Sequence, residues 1–413
     1  MPPRLKLSLQ IIGFIAAVAV LAWAIWAVFF RVPGADLVPG ETEISEPGSL
    51  PAIGDGQGGR VIDQGAASLL EPEAAAPSAG VDQVASGGRT IAEELTGTRA
   101  DFFTAASNGF NYYNETDGRF YRISKNGGEP VAISDEVFNG VEKATWDKVG
   151  ARAILEFPDG SNIFYDFKTK ERATLPKAGR DFSFSAGGEA LSYKYMGQNE
   201  ADRWLVVSEP NGEGQELIQA LGDKGYNVQV NWNPNNQVVA TYRESTSAAG
   251  EEVFLIGLNG ENFPSLQTNG LGFKGAWSPA GGQILYSVYS SETDYNPVLH
   301  IAGAQLDNMG AGNRSLRLAT WPDKCAFAEE TLLYCAVPRG LDQGSGIYPE
   351  LADTVPDAIY KIDLKSNLSA PVALPETGGG GTINVQNMQV SEDGRELYFN
   401  DRVSGAIMKL RLR

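Results

Sequence analysis

The sequence predicts an all-β chain folded as a β-propeller, most simply of seven four-stranded blades with six as the alternative count, behind one transmembrane helix and a disordered stalk. Three observations carry this. Residues 11–30 contain no charge, residues 31 to about 98 are dense in Pro, Gly and acids, and from about residue 100 a strand–turn–strand unit recurs every 40 to 60 residues or so.

The N-terminal run "IIGFIAAVAVLAWAIWAVFF" is twenty residues long, enough to cross a hydrocarbon core as a helix. Arg4 and Lys6 precede it without an acid, and Arg31 is followed by Asp36, Glu41, Glu43 and Glu46. The positive-inside bias therefore assigns residues 1–10 to the cytoplasm, 11–30 to a single-pass span of the cytoplasmic membrane, and the remainder to the extracytoplasmic side. A cleaved signal peptide is the alternative, but the run exceeds a usual h-region and its Ala-x-Ala site, Ala22 to Ala24, lies inside it.

Residues 31–98, beginning "RVPGADLVPGETEISEPGSLP", hold too little apolar side chain to offset chain entropy and read as a disordered stalk. Residues 99–413 form the propeller domain. The whole chain carries 51 acidic against 33 basic residues, a net charge of −18. A nucleic-acid partner, which needs a basic footprint, is excluded on that balance.

The repeating unit is an aromatic or apolar marker, a small polar turn and an alternating apolar strand. It reads "TWDKVGARAILEF", "SFSAGGEALSYKY", "NWNPNNQVVATYR", "AWSPAGGQILYSV", "AFAEETLLYCAV" and "QVSEDGRELYFND", with markers Trp146, Phe184, Trp232, Trp277, Phe327 and Val390. A weaker copy, "TAASNGFNYYNET", places Ala106 at the marker. A third strand follows each pair ("NIFYDFK", "WLVVSEP", "EVFLIGL", "AIYKIDL") and usually a short fourth. Four short strands per repeat of this length is a propeller blade. The last copy ends on its third strand, so "RTIAEEL", upstream of blade one, is expected to supply the missing outer strand and close the ring.

The units "WSPAGGQILYS" and "VSEDGRELYF" resemble the W-S-P-D-G repeats of TolB-like, WD-repeat-related propellers, and the whole chain resembles uncharacterised membrane-anchored propeller proteins of bacteria. The resemblance implies a fold and leaves function open, because this fold hosts binders and enzymes alike.

Catalytic signatures are sparse. Nucleophilic catalysis of the Ser-His-acid kind needs a histidine base, and the chain has one histidine, His300, in the strand-like "PVLHIAGA". No G-x-S-x-G elbow occurs, and one His with two Cys is too few for a zinc site. "FPDGSN" and "NETDG" are turn chemistry before they are calcium ligands. Glu142, Asp181 and Asp323 fall near the starts of innermost strands, where a carbohydrate-active enzyme would place its carboxylates. No catalytic residue, metal ligand or cofactor is assigned.

Cys325 and Cys335 flank the turn "EET". A three-residue turn opposes Cys325 to Cys335 across the hairpin, close enough for a disulfide, whereas a two- or four-residue turn would oppose Cys325 to Tyr334 and leave free thiols.

The connections between second and third strands are short in blades one, two and seven but long in the four between them: "MGQNEADR", "RESTSAAGEE", "YSSETDYNP" and "PRGLDQGSGIYPELADTVPD". Long loops on a rigid scaffold are where recognition sits. They carry eleven acids against three arginines. Glu251, Glu252, Tyr289, Asp294, Tyr295, Tyr348, Asp353 and Asp357 are the expected binding residues. The expected ligand is a basic cell-envelope protein or a cation-bridged glycan.

"LPETGGGG" at 374–381 looks like a sorting signal cleaved between Thr and Gly, but "TINVQNMQVSEDGRELYFNDRVSGAIMKLRLR" follows, with no apolar span. Replacing Thr377 with Ala is expected to leave apparent mass and membrane association unchanged on immunoblots of fractionated cells. A wall-linked product that depends on Thr377 would overturn this.

Overall fold

The computed structural model describes residues 80–413. The apolar span at 11–30 and the stalk up to residue 79 lie outside the described residues, among which no helix is long and apolar enough to cross a membrane. Seven antiparallel sheets follow one another along the chain, at 101–132, 143–175, 179–220, 228–268, 271–315, 325–376 and 385–411, each running from an innermost to an outermost strand. These are the seven blades.

The apolar core lies between neighbouring blades, so the middle strands are covered on both faces and read as nearly continuous apolar runs. "LLYCAVP" in blade six and "QILYSVY" in blade five are buried almost throughout. Between blades one and two, Phe120 meets Phe138, Trp146 and Phe167 edge-on, at ring separations of 5.8, 5.5 and 5.0 Å.

The marker positions are explained by the same packing. The Trp146 indole N–H donates to the Phe102 carbonyl of blade one at 2.6 Å, and that of Trp277 donates to the Asn231 carbonyl of blade four at 2.9 Å, so each pins its blade to the one before. The polar residue after the marker closes the turn. Asp147, Ser185, Ser278 and Ser391 each accept the backbone N–H five residues on, from Arg152, Ala190, Gln283 and Glu396. An Asp or Ser serves equally, which is why the turn keeps its geometry while its sequence drifts.

The innermost strands of blades one, three, five and seven share a further device. Near its start each carries a left-handed residue, Phe102 (φ 53°), Asp181 (φ 55°), Gly272 (φ 73°) and Asn387 (φ 49°), at a break in register with the second strand. Bulges of this kind re-aim the side chains that follow them.

Ring closure falls to residues 89–96. Arg89–Ile91 adds a fifth, parallel strand to blade six, and Glu93–Glu94 completes blade seven as its fourth strand against Ile407–Arg411. Thr96 Oγ1 accepts the Ile407 N–H, and Glu93 pairs with Lys409 at 3.0 Å. The closing role expected of "RTIAEEL" is therefore met, by one segment that straddles two blades. The stalk boundary moves back accordingly. Its described part is poor in aromatics, yet Thr90, Ala92 and Leu95 are buried and its backbone is paired. "LPE" of the sorting-like motif is consumed here: Leu374 to Glu376 pair with Arg89 to Ile91, and Glu376 binds Arg89 at 2.7 Å.

Cys325 and Cys335 are opposed in register, as are Phe327 and Leu333, and the cysteines form a disulfide. It bridges the first two strands of blade six and closes a separation of 10 residues. Beside it Lys324 and Asp357 form a buried ion pair at 2.8 Å, and Asp357 Oδ2 also accepts the Val385 N–H at 2.7 Å.

Two outcomes follow. Replacing both cysteines with Ala should cost about 2 to 3 kcal/mol by the loop-closure relation for a ring of this size, read as an earlier denaturant midpoint with an unchanged slope. An unchanged midpoint would show that the hairpin holds without the bond. Burial pushes the Asp357 carboxyl up from 3.8 to about 6, against the pull of Lys324. The folded chain thus binds this proton more tightly than the unfolded one, so the group favours the fold below about pH 4 and that contribution is lost as the pH rises through about 6. Asp357→Asn should therefore gain on the wild type by about 2 to 3 kcal/mol between those limits, measured by urea denaturation at a series of pH values. A pH-independent difference would overturn the assignment.

Candidate functional site

The starts of the innermost strands and the connections between second and third strands emerge on one face. In blade six that connection, residues 339–356, runs as a strap over the face from blade five to blade seven and walls the smaller of two cavities there. Toward blade five, Gly344 and Gly346 donate backbone N–H to the carbonyls of Asp294 and Tyr295 at 2.9 and 2.8 Å. Gly346 is required there, since a Cβ would lie 2.6 Å from both Tyr289 Cβ and the Tyr295 oxygen. Toward blade seven, the Asn384 amide donates to Ala352 and Val355 oxygens at 2.7 and 2.8 Å, and Asp353 pairs with Arg402. The strap is fastened on both sides.

The expected binding residues divide sharply in this setting. Asp294, Tyr295 and Tyr348 are exposed on the loops of blades five and six. Tyr289 is half-buried against Gly272 and Gly346, and Asp353 is engaged by Arg402. Asp357 is buried against Lys324. Glu251 is buried as well, accepting the Phe273 N–H at 2.9 Å and facing Arg243 at 3.6 Å, while Glu252 accepts the Ser265 hydroxyl.

Glu251, Glu252 and Asp357 thus do not form part of an open loop surface. The reason is that "RESTSAAGEE" is not a loop: strands Val238–Ser247 and Gly250–Gly257 extend through it as one long hairpin. Of the exposed acids of the face, Glu244 pairs with Lys224 at 2.8 Å, whereas Glu200, Asp202, Glu292, Asp294, Asp342 and Glu350 are not ion-paired among the described residues.

Of the three channel acids, Glu142 is exposed beside blade two, and Asp181 is tied to the buried Lys194 ammonium at 2.6 Å. Asp323 lines the mouth. Two cavities of about 360 and 210 Å³ share Lys274 and Asp323 as walls. The larger extends to Tyr226 and Gln229, the smaller to Gln386, Asn387 and Arg402 under the strap. Lys274, Gln386 and Asn387 were not legible as site residues in the sequence. The one signal was Gly272, whose left-handed bulge aims Lys274.

At the opposite end of the channel the markers Trp146, Phe184, Trp232, Trp277 and Phe327 wall a cavity of about 480 Å³. His300 lies away from both ends, on the third strand of blade five, stacked on Tyr286 with ring centroids 5.1 Å apart. Its Nδ1–H donates to the Val298 carbonyl at 3.0 Å, and burial holds the imidazole below its ordinary value.

No protein-family model matches the chain, and no curated sequence is similar to it at a significant level. Solved structures do match. The Cps50 (Swd1) β-propeller domain of Myceliophteria thermophila superimposes with a TM-score of 0.51 at 8% identity, over 78% of this chain and 100% of that one. The oligogalacturonate lyase of Vibrio parahaemolyticus gives 0.48 at 11% identity, over 78% and 93%. The hydrazine synthase of Kuenenia stuttgartiensis gives 0.48 at 13%, over 76% and 96%. At such identities the likeness is one of fold alone, and in fold this chain is a seven-bladed β-propeller.

Proposed function

We propose that this propeller is a recognition module, held outside the cytoplasmic membrane by the span at 11–30, whose long-loop face binds a basic protein partner of the cell envelope. One observation supports it above others: an ordered rim of six unpaired, exposed carboxylates, Glu200, Asp202, Glu292, Asp294, Asp342 and Glu350, on loops that are fastened rather than free. Charges crowded on one face raise the encounter rate of an oppositely charged partner and contribute little to stability. Tyr295 and Tyr348, 39% and 58% exposed beside these acids, supply contact area at low entropic cost.

The decisive experiment neutralises the rim. The variant Glu292→Gln/Asp294→Asn/Asp342→Asn/Glu350→Gln should bind the partner recovered by cross-linking about tenfold or more weakly at low salt and with a smaller deficit at high salt. Its unfolding free energy should move by less than about 1 kcal/mol. Unchanged affinity at both salt concentrations would overturn the reading.

A further inference from the structure

Lys274 and Asp323 bear opposite charges and wall the same two cavities at the channel mouth, yet they do not pair with each other or, among the described residues, with any other side chain. The remaining charges there are already matched. Lys324 is neutralised by Asp357, Arg402 by Asp353 and Arg243 by Glu251. Gln386 and Asn387 line the smaller cavity, and their side-chain amides make no hydrogen bond among the described residues. Four polar side chains from blades five, six and seven therefore converge on one mouth, Lys274, Asp323 and Asn387 exposed to solvent and Gln386 half-buried, with no side-chain partner to give up. Polar groups that converge on one concave site and are held by no other side chain are free to meet a ligand there.

The chemistry of the set narrows the ligand. One ammonium offers only donors, one carboxylate only acceptors, and two amides offer both, so the complement must accept and donate at closely spaced points while carrying no net charge. A simple anion would leave Asp323 facing it, and a simple cation would face Lys274. Hydroxyl groups satisfy both, each being donor and acceptor at once. Tyr226, 77% exposed on the wall of the larger cavity, adds an apolar ring face suited to the C–H face of a sugar ring.

We propose that the channel mouth binds a neutral saccharide through Lys274, Asp323, Gln386 and Asn387, with Tyr226 against the ring. This site goes beyond the rim reading and does not rest on it, since the two share no side chain. The full-length chain is titrated with a panel of neutral hexose and N-acetylhexosamine oligosaccharides, two to four units long, read by saturation-transfer NMR and calorimetry. At least one should bind, and Lys274→Met and Asp323→Asn should each weaken it about tenfold, the loss expected for one charge-assisted hydrogen bond. The melting temperatures of both variants should match the wild type, because neither side chain has a partner to lose. Saccharide binding should survive in the rim variant, which separates failure of this proposal from failure of the other. Absence of binding across the panel overturns it, as does binding that ignores both substitutions. Binding of a free amino acid in place of every saccharide also overturns it, because the opposed charges would then be reading a zwitterion.

Discussion

A ring of sheets has to be joined to itself, and the joint is made by eight residues near the described N-terminus. Each blade buries one face against each neighbour, so an unclosed ring would leave two apolar faces in water and two unpaired strand edges. The chain solves this by laying 89–96 across the seam, first parallel to the outer strand of blade six and then antiparallel to the third strand of blade seven. The packing of every other blade depends on the closure that this provides.

Much of the fold was legible in the residues. Two of the markers, Trp146 and Trp277, pin their blades to the preceding one through an indole N–H, and Trp146, Phe184, Trp232, Trp277 and Phe327 together wall one end of the channel, which leaves a visible trace in the sequence. The Cys325–Cys335 pairing was expected from a three-residue turn; the structure reaches the same register with a two-residue turn, Glu330–Thr331, and a bulge between Phe327 and Glu329 that supplies the extra residue. The N-terminal closing strands were legible through what was missing at the other end. Their membership of the fold was hidden by composition, because a strand held by backbone pairing at a sheet edge needs few large apolar residues.

The site was legible only in part. Long connections marked the face, but length does not separate a loop from a hairpin that continues past the sheet, and Glu251 and Glu252 were misplaced for that reason. Asp357 was lost to burial, which sequence position at a strand's start does not reveal. Lys274 and Asn387 owe their placement to backbone bulges at Gly272 and Asn387. Gly and Asn are the types that enter the left-handed region most readily, but they do so at many turns of this chain, so residue type alone did not single these two positions out.

The bulges carry a consequence of arithmetic. The left-handed ones near a strand's start occur in blades one, three, five and seven, while the innermost strand of blade six breaks register only at its far end, between Phe327 and Glu329, so in this respect the ring alternates as far as it can. Strict alternation around a circle requires an even number of members. With four bulged blades among seven, two must stand side by side, and the ones that do are seven and one, the last and first in chain order. This parity defect abolishes any rotational symmetry of the mouth. The channel therefore has a single azimuth, and a ligand that enters it meets one orientation rather than a choice of equivalent ones.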